Sequence, residues 1–158
     1  MKIEKENTTI EIFDDYVVKH LKNKIKTQGW YESYLEFSAD NPLYVKILDF
    51  EPSKLILEKI DIFSPVNNYL KSTENLNRDL CLNICESYFK VILDCVEYSK
   101  KEKNIYWTHD DLTIDNFVIT KDNKIKLIDP DSFHFCKNPI DYKYSFGIIE
   151  LENLMRKL

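Results

Sequence analysis

The stretch from His109 to Ser132, HDDLTIDNFVITKDNKIKLIDPDS, limits the folds open to this chain more than any other. Two short apolar runs, Phe117–Ile119 and Ile125–Ile128, flank Lys121-Asp122-Asn123-Lys124, which has the composition of a turn. A hairpin of this kind returns the chain on itself. Asn116 precedes its first strand and Asp129 follows its second, so both end on one edge. Asp111 lies five residues before Asn116, within reach of the same loop. Two carboxylates and an amide then converge on a small volume. Such hard oxygen donors suit Mg²⁺, which keeps some waters and shares substrate phosphates.

These residues also carry a resemblance. His109-x-Asp111-Leu112-x-x-x-Asn116 resembles the catalytic loop of the protein-kinase-like superfamily, which includes aminoglycoside, choline and lipopolysaccharide-core sugar kinases. Asp129, closing Ile125-Lys126-Leu127-Ile128, resembles the metal-binding Asp of the family's Asp-Phe-Gly segment. The resemblance implies an α+β fold of two lobes: a small antiparallel-sheet lobe over residues 1–62 and a truncated, mainly helical catalytic lobe over 63–158. It covers nearly the whole chain.

Composition sets the outer bounds. With 158 residues and a 44% hydrophobic fraction, the chain is long enough for one compact unit or two small lobes. A formal charge of −5 argues against a general nucleic-acid binder, which needs positive charge to displace counterions. The opening MKIEKENTT has no apolar core and does not read as a signal peptide. No apolar run approaches the roughly 18 residues of a membrane span. The four cysteines, Cys81, Cys85, Cys95 and Cys136, form no Cys-x-x-Cys pair, so they read as reduced core residues of a cytoplasmic protein rather than zinc ligands.

In chain order, Thr8–Phe13 alternates as a strand, Asp14-Asp15 turns, and Tyr16–Leu21 resumes an extended pattern. Within it, Val17-Val18-Lys19 resembles the strand whose lysine holds the nucleotide's α- and β-phosphates; Lys22 and Lys24 compete for that role. Only two glycines are present, and none precedes Gly29, so the family's glycine-rich loop is missing. Glu6-Asn7-Thr8-Thr9 is its substitute, in which Asn tolerates positive φ and Thr hydroxyls donate to phosphate. Trp30–Ala39 reads as a helix. Glu32 on it is the expected partner of Lys19, with Glu36 the alternative. Tyr44–Leu48 and Lys54–Ile60 read as strands. The resemblance makes Glu58 (carbonyl) and Ile60 (amide) the adenine contacts and offers Asp61 to a ribose hydroxyl or to a turn. Ser64-Pro65 to Ser72 reads as the border between lobes.

Leu76–Lys100 carries apolar residues every three to four positions, the stripe of an amphipathic helix. Ile105-Tyr106-Trp107 is a strand leading into His109, which reads as a residue that holds the loop. After Asp129, Pro and Asp replace the family's Phe and Gly. Asp131 reads either as a second metal ligand or as a turn acid. A last helix is expected from about Ile140 to Leu158, with Tyr144, Ile148, Leu151 and Met155 on its apolar face and Gly147 for close packing.

The resemblance thus implies an ATP- and Mg²⁺-dependent phosphotransferase, with Asp111 and Asn116 catalytic and Asn116, Asp129 and Asp131 at the metal. Asp110 stands where kinases place an Arg that pairs with a phosphorylated loop, and Thr113 where Ser/Thr kinases place a Lys. Both departures, with the short segment after Asp129, favour a small hydroxylated acceptor such as a sugar or amino alcohol. A protein serine, or a non-catalytic pseudokinase that binds a partner, is the alternative. The same departures suggest an enzyme that does not depend on phosphorylation of its own loop, where Ser132 is the nearest hydroxyl.

Overall fold

The computed structural model describes residues 1–22, 25–72, 76–101, 106–137, 152 and 156. The chain is mixed α+β and divides into two compact units, Met1–Asp61 and Ile62–Leu158.

The first unit is a five-stranded antiparallel sheet with one helix. Its strands are β1 (Lys2–Glu4), β2 (Thr8–Ile12), β3 (Tyr16–Leu21), β4 (Ile47–Glu51) and β5 (Lys54–Glu58), in the order β1-β2-β3-β5-β4. β3 is central, with Ile10 and Leu55 on either side of Lys19. The helix α1 (Gln28–Ser38) starts two residues before the expected Trp30. Thr27 is its cap: the Thr27 hydroxyl accepts from the Trp30 amide at 3.1 Å. Trp30, Tyr34 and Phe37, at helical spacing, are its buried face. Tyr34 then donates its hydroxyl to the Val45 carbonyl at 2.7 Å.

The fourth strand corrects the sequence reading. Leu43, Tyr44 and Val45 are buried, but the paired strand begins only at Ile47. It runs on through Asp49-Phe50-Glu51, beyond the Leu48 at which the sequence reading ends it. The register shifts between Ile47 and Asp49, and this bulge throws Leu48 outward to 55% exposure. Phe50 keeps the segment in place by stacking on Tyr31, with centroids 4.8 Å apart. A bulge breaks the alternation from which strands are read.

The second unit opens with β6 (Ile62–Pro65) and the short helix α2 (Val66–Ser72), where a border segment was expected. The long helix α3 (Arg78–Ser99) follows, capped by the Asn77 side chain on the Leu80 amide at 3.0 Å. Cys81, Ile84, Cys85, Tyr88, Val91 and Cys95 are its buried residues, and Val96 is 49% exposed. Next come β7 (Tyr106–His109), β8 (Phe117–Thr120), β9 (Ile125–Leu127) and β10 (Phe133–Cys136). β8 and β9 form the expected hairpin, turning at Asn123 with φ 59°. β6 adds to it as a third strand, in the order β6-β8-β9, and β10 pairs antiparallel with β7. The helix expected from Ile140 to Leu158, with Tyr144, Gly147, Ile148, Leu151 and Met155, lies outside the described residues, apart from Glu152 and Arg156. The Arg156 amide donates to the Glu152 carbonyl at 3.0 Å, a helical bond.

Aromatic packing fixes β7 and β10 to each other. Trp107 stacks on Phe133 at 5.8 Å and 7°, and Phe133 meets His109 edge-on at 4.7 Å. Ser99, at the end of α3, accepts from the Trp107 amide at 2.8 Å and donates to the Cys95 carbonyl at 2.6 Å. Tyr88 lies deeper on the same helix. Its fully buried hydroxyl donates to the Leu112 carbonyl at 2.7 Å. This bond ties α3 directly to the loop after β7. Tyr88→Phe keeps the ring but leaves a buried carbonyl without its donor. The variant is expected to lose about 1–2 kcal/mol of unfolding free energy, read by urea denaturation; an unchanged midpoint would mean that the bond contributes nothing net.

Candidate functional site

His109, the last residue of β7, begins the loop. The ring is buried, and its Nε2 lies 3.0 Å from the Asp129 carbonyl oxygen. A carbonyl only accepts, so Nε2 carries the proton and Nδ1 is a bare acceptor. That Nδ1 is buried with no hydrogen-bond partner. Protonating it would place a second N–H, with a charge, where nothing receives it. Burial accordingly pushes the His109 pKa down to about 4, while the neighbouring carboxylates of Asp129, Asp111 and Asp110 pull the other way. His109 is therefore a neutral, fixed donor, in keeping with its sequence reading as a residue that holds the loop.

The loop continues through Asp110 and Asp111, both exposed. The Asp110 amide donates to the Ser132 carbonyl at 2.9 Å, and its carboxylate stands 3.3 Å from His134 Nδ1 on β10. Asp111 accepts at its carbonyl from the Thr113 amide at 2.9 Å. A single 3-10 turn, Ile114–Asn116, leads into β8. Asn116 Nδ2 then reaches back to both the Asp111 carbonyl, at 2.7 Å, and the Asp111 carboxylate, at 3.0 Å. The two residues expected to act together are thus in direct contact. Both donors of the amide point at Asp111, which sets its oxygen on the other side.

The second strand of the hairpin brings Asp129 to the same edge. Phe117 pairs with Leu127, and the Ile128 amide donates to the Asn116 carbonyl at 2.9 Å. Asp129 follows directly and is half-buried. Pro130–Ser132 forms a second 3-10 turn, in which Asp131 and Ser132 are buried at 4% and 5% exposure. The Ser132 hydroxyl donates to Asp129 Oδ2. Sequence reading missed both this contact and the Tyr88 anchor. A Ser three residues after an Asp, across a Pro, is a local side-chain signal from which the first could have been read.

The donors on this edge, an amide oxygen and a carboxylate, are hard and fit Mg²⁺. Among the described residues no three His, Cys, Asp or Glu side chains are grouped around one point. An ion held by Asn116 and Asp129 would complete its shell from water and phosphate oxygens, which is how Mg²⁺ is usually bound.

The first unit contains the remaining expected residues. Lys19 is buried at 7% exposure in the central strand, where a lysine is partnered, and it is so here. Lys22 is exposed, and its ammonium donates to the Lys5 carbonyl at 3.1 Å; Lys24 lies outside the described residues. Glu32 does not pair with Lys19. It sits on the exposed side of α1, and its carboxylate accepts from Gln28 Nε2 at 3.1 Å. Helix phase is the reason: at about 100° per residue, Glu32 lies roughly 200° round from buried Trp30. Glu36 is exposed as well, and it has an interaction partner. The turn at Glu6–Thr9 also differs from expectation. The Lys5 amide donates to the Thr8 carbonyl at 2.8 Å. Among the described residues only Asp40 and Asn123 have positive φ, so Asn7 does not use the left-handed region. At the end of β5 the Glu58 carboxylate accepts from the Lys46 amide at 2.9 Å. Ile60 is half-buried, and Asp61 is exposed and partnered.

No helix among the described residues is long and apolar enough to cross a membrane. In fold the chain is similar to the crystal structure of monomeric WbdD, with a TM-score of 0.55 and 18% identity. The match covers 92% of this chain and 37% of that one. No family model matches the sequence, and no curated protein does.

The buried neutral ring of His109 has a measurable signature. Its folded pKa of about 4 lies below the ordinary 6.5, so between these values the unfolded chain binds more protons. The stability it contributes is complete above pH 6.5 and is lost as pH falls toward 4, by at most about 3 kcal/mol. Urea titrations across that range should show the loss in the wild type and a flatter profile in His109→Gln; parallel profiles would contradict the assignment.

Proposed function

We propose that this chain is a phosphotransferase that moves the γ-phosphate of ATP to a hydroxyl acceptor with the help of Mg²⁺. The observation that carries the reading is the Asn116 side chain, which holds Asp111 with both donors while its strand pairs with the strand that delivers Asp129. The likeness in fold to WbdD supports a protein-kinase-like architecture of two lobes. In this reading Asp111 accepts a hydrogen bond from the acceptor hydroxyl and orients it toward the phosphorus. Asn116 and Asp129 hold the metal, and Asp131, buried beside them in sequence, steadies the turn or approaches a second ion. Mg²⁺, when bound, neutralises charge on the phosphate oxygens. Lys19 meets the α- and β-phosphates, with Glu36 replacing Glu32 as the helix glutamate that supports it. Glu58, Ile60 and Asp61 remain the proposed adenine and ribose contacts. Positioning and charge neutralisation account for most of the acceleration in such chemistry.

A small acceptor, a sugar or amino alcohol, fits better than a protein. Asp110, where an activating Arg would stand, faces His134 instead of awaiting a phosphate. A carboxylate there would oppose a phosphorylated loop.

Titration of the protein with ATP, with and without Mg²⁺, followed calorimetrically, is the direct test. Metal-dependent binding is expected in the wild type and its loss in Asp129→Ala. Asp111→Asn should bind ATP normally yet lose turnover by about 10²–10⁴-fold in a screen of sugars and amino alcohols for ADP release. Equal heats in the wild type and Asp129→Ala would remove the metal role. Nucleotide binding without turnover on any acceptor would favour a non-catalytic partner-binding module.

A further inference from the structure

We propose that Ser132 is a positioning residue for the Asp129 carboxylate, an inference that rests on the metal-binding reading of Asp129. An Asp just before a helical turn ordinarily accepts from a backbone N–H two or three residues on. Asp129 occupies that position before the Pro130–Ser132 turn, yet its side chain makes no cap bond. Its Oδ2 instead accepts from the Ser132 hydroxyl.

The hydroxyl is well placed to hold it. Pro130 fixes φ at the first position of the turn. The Ser132 amide donates to the Asp129 carbonyl at 3.3 Å, and the Ser132 carbonyl accepts from the Asp110 amide at 2.9 Å. Ser132 is therefore tied through its backbone to the turn on one side and to the loop on the other, and it is buried at 5% exposure. Its hydroxyl reaches Asp129 from a fixed frame. A hydrogen bond to an ionised acceptor is among the stronger kinds, and it holds the plane of the carboxylate as well as its place. Partners of this sort behind a metal ligand commonly change metal affinity by about 10- to 100-fold. The burial and the engaged hydroxyl also make Ser132 a poor target for a modifying enzyme.

The test compares wild type, Ser132→Ala and Ser132→Thr as full chains, with Mn²⁺ as the probe. Free Mn²⁺ is measured by electron paramagnetic resonance in the presence of ATP, and ATP affinity is measured separately in EDTA. Ser132→Ala should weaken Mn²⁺ binding to the ATP complex about tenfold or more while metal-free ATP binding stays within about twofold. Ser132→Thr, which keeps the hydroxyl, should recover most of the affinity. In an Asp129→Ala background, Ser132→Ala should add nothing, because the two side chains act as one unit. Should the Ala variant fail to fold, Ser132→Cys keeps the volume with a poorer donor and replaces it. Mn²⁺ binding equal to wild type, or an Ala effect that persists unchanged without Asp129, overturns the inference. A wild type that shows no metal-dependent ATP binding overturns the phosphotransferase reading itself, and the positioning role with it.

Discussion

The loop from His109 to Asn116 depends on hydrogen bonds that close it onto the Asp129–Ser132 turn. Apart from one 3-10 turn it has no regular structure of its own. It is held from three sides. His109 Nε2 and the Asp110 amide bind the carbonyls of Asp129 and Ser132, the Ile128 amide binds the carbonyl of Asn116, and the Tyr88 hydroxyl binds that of Leu112. Several of these bonds lie among buried rings, where a hydrogen bond is stronger and an unmade one more costly than in water. The geometry of Asp111, Asn116 and Asp129 follows from them.

This arrangement also explains the charge state of its buried histidine. Asp110, Asp111 and Asp129 all favour a protonated ring, and burial still outweighs them. The reason is geometric as well as dielectric. Phe133 covers the ring edge-on, and the Asp129 carbonyl takes its one N–H. A cation formed there would compete with any ion brought to Asp129.

The sequence made the hairpin, α3 and the contact between Asp111 and Asn116 legible, because each rests on local spacing. Phe117–Ile119 and Ile125–Ile128 are apolar runs around an unmistakable turn, and α3 repeats every three to four residues. What was not legible rests on pairing between distant segments. β6 joins β8 across more than fifty residues of chain, in a stretch whose Ser-Pro composition reads as a loop. β10 pairs with β7 across more than twenty residues of chain, and its Phe133 and Phe135 pack on Trp107. Helix phase about Trp30, Tyr34 and Phe37 leaves Glu32 opposite the buried face, and Glu36 is exposed as well, so neither glutamate belongs to the core of α1. Asn7 has the residue type of a left-handed turn, yet the Lys5–Thr8 bond closes that turn without positive φ.

The three cysteines of α3 give this protein a built-in clock. Burial raises the pKa of Cys81, Cys85 and Cys95, Cys95 farthest. Since the thiolate is the reactive form, a raised pKa slows alkylation while the helix stays closed, most of all at Cys95. Cys136, at the end of β10, is only half-buried. The order in which iodoacetamide labels the four sulfurs would then read out which part of the unit breathes first, with no probe added to the chain. Opening of α3 takes Tyr88 away from Leu112, so the labelling rate of its thiols also reports how often the loop loses its anchor.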